Sequence, residues 1–373
     1  MKSTSLNLLT TIAAAALLSS CTDNTAVDPT PTPTYTVPAT YAFNNVDFKE
    51  SASRISMWQG FQAYLGRGNT HTLSADTVNY LWNNTNSAFT AEMADNIPYA
   101  ATDLNKLNYN LSSKVADATL FKALADSMVY VSKFNNQAAS KGIPGKIGNR
   151  LFNRNGLEYN QLVAKGLMGG LTLSNVVAIL DKIPTDDNKT EVAGKGTAME
   201  HNWDLAFGYV GIPMDYDTAY DYRSQPVKAD RPLALGGYFA ERANYIQAGG
   251  KIYEAFRKGR AAITAKDYET RDAAISTIKE FLEKTIAAAA YYYVTAPQST
   301  TALDSKFHAI SEGAGFVAAL KYRPANSKMT AANYQTLVSL LDTSYYSLAE
   351  DASNTKLKQA QTILTEAYGK LQP

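Results

Sequence analysis

A single cysteine, Cys21, occurs in 373 residues, which excludes a disulfide within the chain and a metal site built from several thiolates. The formal charge is only +1, so the composition excludes a protein that binds nucleic acid through a basic surface. The HExxH, Gly-x-Ser-x-Gly, Walker and Rossmann sequences are also absent. Stability must therefore come from a buried apolar core, and function from residues outside these motifs.

Cys21 lies where a bacterial lipoprotein carries its acylated residue. Lys2 provides a short basic start, and the apolar stretch from Leu6 to Leu18 is too short to span a bilayer. Small residues then lead to the cysteine in a lipobox-like sequence, Leu18-Ser19-Ser20-Cys21. We expect residues 1–20 to be a signal peptide and Cys21 to become the lipidated N-terminus. An ordinary signal peptide with an incidental cysteine is the alternative.

A spacer is predicted between the lipid and the fold. Residues 29–34 alternate proline and threonine, a composition that favours extended and solvated backbone. We therefore assign residues 21–40 to the lipidated cysteine and its spacer, and 41–373 to the folded region. The expected location is the cell envelope, lipid-anchored in the outer membrane on its periplasmic face or at the cell surface.

The periodicity of the folded region is helical. Thr197 and Glu200 form a capping box, and apolar patterns predict helices over about Leu157–Leu180 and Tyr268–Val294. We find no strand alternation, no hairpin sequence and no second apolar run long enough to span a membrane. The sequence predicts an all-α fold of two packed helical bundles, with a boundary near residues 211–232.

Two of the three histidines lie in similar segments. His201 is followed one helical turn later by Asp204, and His308 by Glu312. Each segment then continues with a glycine and an aromatic residue at the same offset from its histidine. Spacings of three or four residues place both side chains on one face of a helix.

These segments have two interpretations. A duplicated unit with a pseudo-twofold axis would bring the two imidazoles and two carboxylates to one ion, and this ligand set suits iron or zinc. Alternatively, each imidazole is structural and is held by its own carboxylate, with Gly208 and Gly315 permitting close helix packing. Both interpretations stay open at this point.

Additional acidic residues are candidates for the same or a second site. Glu200 directly precedes His201 and can serve a bound metal as ligand or base. Asp215 and Asp217, with Asp221, have part of the spacing of a calcium loop, but its glycine and final glutamate are missing. A surface loop with tyrosines packed on neighbouring helices is the alternative.

The chain resembles an uncharacterised family of Bacteroidetes envelope lipoproteins that carry a domain of unknown function. The resemblance covers nearly the whole region after the spacer. It rests on five stretches: 41–54, 161–169, 200–209, 256–263 and 308–316.

More distantly, the chain resembles imelysin-like proteins, whose hallmark is Gly-x-His-x-x-Glu. His201 matches that pattern, Asp204 stands at the glutamate position, and Met199 stands at the glycine position. The resemblance implies two helical bundles in an envelope protein linked to iron uptake, and some such proteins are described as peptidases.

The leading hypothesis is a lipid-anchored envelope protein that binds a ligand rather than catalysing a reaction. Iron is the most specific ligand, held by His201, Asp204, His308 and Glu312. One alternative is a zinc metallopeptidase with Glu200 or Glu312 as base. Others are a surface glycan-binding protein, suggested by the anchor, the spacer and the abundance of tyrosine and tryptophan, or a scaffold for other envelope proteins.

Overall fold

The computed structural model describes residues 34–94, 101–220, 222 and 231–373. The chain divides into two units, Met1–Thr34 and Tyr35–Pro373. Thr34 alone is described in the first unit, so the predicted signal peptide, the predicted lipidation site Cys21 and most of the predicted spacer lie outside the described residues.

The second unit is built from α-helices, and the all-α prediction is confirmed, with 62 % helix and 4 % strand. In chain order the helices are α1 (Lys49–Gly66), α2 (Ala75–Asn83), α3 (Ala91–Ala94), α4 (Ala101–Asn105), α5 (Ala118–Ser132), α6 (Tyr159–Leu167), α7 (Ser174–Lys182), α8 (Ala198–Val210), α9 (Ala234–Glu241), α10 (Ala248–Ala265), α11 (Tyr268–Thr295), α12 (Leu303–Ala319), α13 (Ala331–Leu341), α14 (Tyr345–Glu350) and α15 (Thr355–Tyr368).

Four short strands accompany these helices. β1 (Gly145–Ile147) pairs antiparallel with β2 (Arg150–Phe152), and β3 (Glu191–Val192) pairs antiparallel with β4 (Gly196–Thr197). The sequence did not predict these two short hairpins. Strands of two or three residues are too short to show an alternating pattern, which needs about four residues or more to be recognised.

The helices α6 and α7 join into one long apolar helix. A π-helical segment, Met168–Leu173, connects them, and the combined helix runs from Tyr159 to Thr185. Its length and composition suffice to cross a membrane, so the expectation that no second run reaches that length was wrong. However, 67 % of its most apolar stretch is buried inside the fold, as in the core helix of a soluble protein.

The longest described element, α11, lies among α10, α12 and α15. Its bounds, Tyr268–Thr295, agree closely with the predicted helix over 268–294. The side chains of Ile286 and of Ala287–Ala290 are fully buried, and such small side chains allow neighbouring helices to approach closely. Part of the predicted bundle boundary, residues 221 and 223–230, lies outside the described residues, and the division into two bundles stays a prediction.

The helix α8 positions the first histidine segment. It begins with the predicted capping box, in which Thr197 accepts from the Glu200 N–H and Glu200 accepts from the Thr197 N–H. It packs against α1, α7 and α10. Trp203 is fully buried on this helix, and its indole Nε1 donates to the carbonyl of Phe256 on α10 at 3.0 Å. The contact with α10 decides which partners the carboxylates of α8 meet.

Replacing Gly259 tests the close approach of α8 and α10. A Cβ at this position would overlap the indole ring of Trp203, so Gly259→Ala should destabilise the fold by about 1–3 kcal/mol through overpacking. The matched control is Gly66→Ala at the end of α1, where a Cβ meets no atom within 4 Å and the backbone is helical. That variant should be neutral or slightly more stable. Urea unfolding measures both, and equal midpoints would contradict the assigned contact.

Candidate functional site

Asp204 is fully buried and is bound by two donors from other parts of the chain. The Arg260 guanidinium on α10 donates through Nε to Asp204 Oδ1 at 3.1 Å. The Tyr41 hydroxyl donates to the same oxygen at 2.7 Å. A buried carboxylate requires such partners, because an unpaired charge in the protein interior is costly. The sequence analysis missed both partners.

One guanidinium serves two carboxylates at this position. Arg260 is 1 % exposed and also donates through Nη1 to Glu200 Oε1 at 2.6 Å. Burial opposes ionisation of Glu200, but hydrogen bonds from Thr197 and Thr264 and the charge of Arg260 outweigh it and lower the pKa of Glu200. Burial raises the pKa of Asp204 to about 6 in spite of Arg260 and Tyr41. The pKa values of the two acids are therefore shifted in opposite directions.

His201 is half-buried beside this cluster. Burial is the main cause that lowers its pKa, and the positive charge of Lys195 adds to the effect, so the imidazole is neutral at pH 7. Among the described residues no hydrogen bond joins His201 to Asp204, although both lie on α8. The expected pairing of imidazole and carboxylate is not formed here.

The second pair is held by a different set of partners. Glu312 on α12 lies 3.8 Å from Nε2 of His308, and the Lys165 ammonium on α6 lies 3.0 Å from the same Glu312 oxygen. Burial opposes ionisation of Glu312, but the charges of Lys165 and His308 outweigh it, and the pKa of Glu312 is lowered. Nδ1 of His308 lies 2.6 Å from Glu158 and 2.7 Å from Arg150.

These contacts do not fit a metal ion shared by the two pairs. In the part of the chain that the structure describes, no three His, Cys, Asp or Glu side chains form a group that can hold a metal. Asp204 is already paired with Arg260 and Glu312 with Lys165, so a buried cation lies where a metal would have to approach. A Cβ at Gly208 would overlap Ser51 on α1, which supports the structural interpretation of that glycine.

The two acidic candidates of the loop after α8 lie elsewhere, in a large open cleft. Asp215 and Asp217 line it together with α9, α10 and two residues of Tyr35–Asn44, a segment without helix or strand that we call the strap. The cleft has a volume of about 720 Å³, within the usual range for small-molecule sites. The residues that line the cleft also include Ala39, Thr40, Tyr216, Gly249, Gly250, Tyr253, Glu254 and Arg257.

Tyrosine rings hold the loop against α10. The Tyr216 ring meets the Tyr253 ring edge-on, with centroids 5.7 Å apart, and stacks on the Tyr222 ring at 5.5 Å. The Tyr253 hydroxyl donates to the Met214 carbonyl at 2.5 Å. Gly249 has no side chain, and a Cβ there would overlap the Tyr216 hydroxyl. The sequence analysis expected tyrosines packed beside this loop, and the structure confirms that contact.

Charged side chains line both walls of the cleft. Asp215 and Asp217 place exposed carboxylates on the loop wall, whereas Lys251, Glu254 and Arg257 lie on the α10 wall. Glu254 is paired with Lys258 at 2.5 Å, and that ammonium lowers the pKa of Glu254. The loop wall therefore carries acceptor carboxylates, and the α10 wall carries two cationic donors beside the paired Glu254, without a field of one sign.

Arg257 and the strap are parts of this site that the sequence analysis missed. Arg257 was assigned to a solvated helix face, and residues 39–40 to the spacer. No local signal connects them, because the strap lies more than two hundred positions before α10 in the chain. The loop tyrosines and aspartates were the available signal. The three tryptophans, which had suggested a glycan site, are buried.

A family model for a domain of unknown function, DUF4856, matches residues 38–369. The chain belongs to this family. The match includes α8, α12 and all the residues named as lining the cleft. No curated protein and no solved structure gives a significant match. The prediction of an uncharacterised domain family is confirmed, and the family assigns no chemistry to the site.

The raised pKa of Asp204 predicts a pH effect on stability. The folded state binds a proton at about pH 6 and the unfolded state at about pH 4, so Asp204 makes the protein less stable as the pH rises between these values. A shift of this size corresponds to about 3 kcal/mol. Asp204→Asn should lack this contribution, so its free energy of unfolding should rise relative to wild type across that interval. Urea unfolding at several pH values measures the free energy of unfolding of both proteins. If the two free energies change in parallel with pH, Arg260 keeps Asp204 ionised throughout the interval.

A second prediction concerns the metal. Because Arg260 and Lys165 already neutralise the carboxylates, the chain purified without chelator should contain iron and zinc far below one equivalent. His201→Ala and His308→Ala should not change that content. Elemental analysis by mass spectrometry measures all three proteins after loading with either metal. A near-stoichiometric metal lost in both variants would instead establish a shared centre.

Proposed function

We propose that this protein is a lipid-anchored cell-envelope protein that binds a carbohydrate in the cleft between the loop Met214–Tyr220 and α10. The observation that carries the proposal is the division of the cleft into an acceptor wall, Asp215 and Asp217, and a donor wall, Arg257. A sugar hydroxyl both donates and accepts hydrogen bonds, so it is able to pair with either wall. Catalysis is not part of the proposal.

Two further properties of the cleft support a neutral, polyhydroxylated ligand. Tyr216 and Tyr253 are among the lining residues, and tyrosine suits a wet site because it combines apolar area with a polar tip. The exposed Tyr220 continues this aromatic cluster toward solvent, with its ring 4.8 Å from that of Tyr222. Carboxylates and a guanidinium in one cleft disfavour a ligand of high charge, because either sign would be repelled by one wall.

The envelope location in this proposal is supported by the N-terminal sequence. The apolar stretch before Cys21 and the Pro/Thr-rich spacer are typical of a lipoprotein. The resemblance to Bacteroidetes envelope lipoproteins supports the same location and favours the outer membrane.

Iron binding and peptidase activity are supported by the two histidine segments of the sequence and by the distant imelysin-like resemblance. Asp204 and Glu312 are each paired with a buried cation, so the contacts among the described residues support neither function.

Titration calorimetry with neutral oligosaccharides tests the proposed function. We expect at least one of maltotetraose, cellotetraose, xylotetraose and chitotetraose to bind the purified chain. Asp215→Asn removes a charge from the acceptor wall and should weaken that binding about tenfold or more, the usual effect of losing a charged hydrogen-bond partner. Binding of none of the four would overturn the carbohydrate proposal, and binding unchanged in Asp215→Asn would move the site away from the loop.

Two glycines provide a matched pair for the same measurement. Gly249→Ala displaces Tyr216 because the new Cβ overlaps the tyrosine hydroxyl, and it should weaken binding strongly. Gly237→Ala on α9 lies outside the cleft lining and places a Cβ 3.6 Å from the Pro232 carbonyl, an ordinary contact, so it should bind as the wild type does. Both substitutions lie in the first turn of a helix, so the change in helix propensity is similar.

A further inference from the structure

The strap, Tyr35–Asn44, is held firmly at one end. Tyr41 is fully buried, its ring stacks on Phe207 at a centroid distance of 3.8 Å, and its hydroxyl donates to Asp204. Its backbone N–H donates to the Met214 carbonyl at 2.8 Å, which joins the strap to the loop of the cleft. The Asn44 carbonyl accepts from Arg260 at 3.3 Å. This half of the strap is part of the core.

The other half of the strap is held by few contacts. The Arg257 guanidinium donates to the Pro38 carbonyl at 2.7 Å, and the Tyr35 hydroxyl donates to Asp267 at 3.0 Å. Within the described part of the chain, residues 35–40 form no backbone–backbone hydrogen bond. Ala39 and Thr40 are exposed and line the cleft. Their backbone groups are strong donors and acceptors that a ligand is able to satisfy.

We propose that Ala39 and Thr40 are the third wall of the ligand site, and that a carbohydrate in the cleft hydrogen-bonds to their backbone groups. This inference rests on the proposed function. The ligand then bridges the strap, the loop and α10, and it holds the strap against the cleft. By thermodynamic linkage, whatever holds the strap in place also strengthens binding of the ligand.

Arg257 connects the strap to the donor wall. It lines the cleft, donates to Pro38, and lies 4.9 Å above the centre of the Tyr253 ring. One side chain therefore contacts the strap and the tyrosine that holds the loop. A ligand that engages Arg257 also meets the adjacent strap residues, which makes the strap a determinant of affinity.

Tyr35→Phe tests the strap without changing a residue that lines the cleft, because Tyr35 is not part of the lining. The substitution removes the hydrogen bond to Asp267 and should weaken binding of the tetrasaccharides about two- to tenfold, as expected for one net hydrogen bond. The control is Tyr130→Phe on α5, an exposed tyrosine outside the cleft, which should bind as the wild type does. Titration calorimetry on the full-length chain in detergent measures all three proteins.

Hydrogen exchange distinguishes the two proposals. With any of the four tetrasaccharides that binds, we expect slower amide exchange in residues 36–40 and in the loop 214–218 of the full-length chain. Protection of the loop without the strap, together with unchanged affinity of Tyr35→Phe, would overturn the role of the strap and leave the carbohydrate site standing. Binding of none of the four sugars would overturn the proposed function and the third wall with it.

Discussion

The buried guanidinium of Arg260 connects the parts of the molecule that shape the cleft. It donates to Asp204 and Glu200 on α8, to Thr264 on its own helix and to the Asn44 carbonyl on the strap. Removing it would leave two carboxylates without their cation in a site that is almost closed to water, which is far more costly than losing a surface ion pair. The arrangement of α8, α10 and the strap therefore depends on this one side chain.

The effect of Arg260 extends to the cleft through Tyr41. Arg260 and Tyr41 share the same oxygen of Asp204, and the Tyr41 N–H donates in turn to the Met214 carbonyl. Met214 begins the loop that carries Asp215 and Tyr216, so the acceptor wall is tied to the core through two hydrogen bonds. A rigid support of this kind lets an exposed loop present a binding surface. A structural cluster and a candidate ligand site are thus parts of one network.

The same interactions favour the structural interpretation of the histidine segments over the metal interpretation. The spacing of His201 with Asp204 and of His308 with Glu312 does place each pair on one helix, α8 and α12. A spacing cannot show which other helix packs against that face. Here α10 brings Arg260 and α6 brings Lys165, and a carboxylate that already has a buried cation is a poor ligand for a second one.

Helix periodicity, the capping box at Thr197 and the long helix ending near Val294 were predictable because they depend on residues close together in the chain. The short hairpins were not, since two or three residues carry no pattern. The sequence by itself determined the helical class and the loop rich in aspartate and tyrosine. Only the tertiary structure decided that Arg257 and the strap join that loop in one cleft, because contacts between residues far apart in sequence arise from packing and leave no local signal.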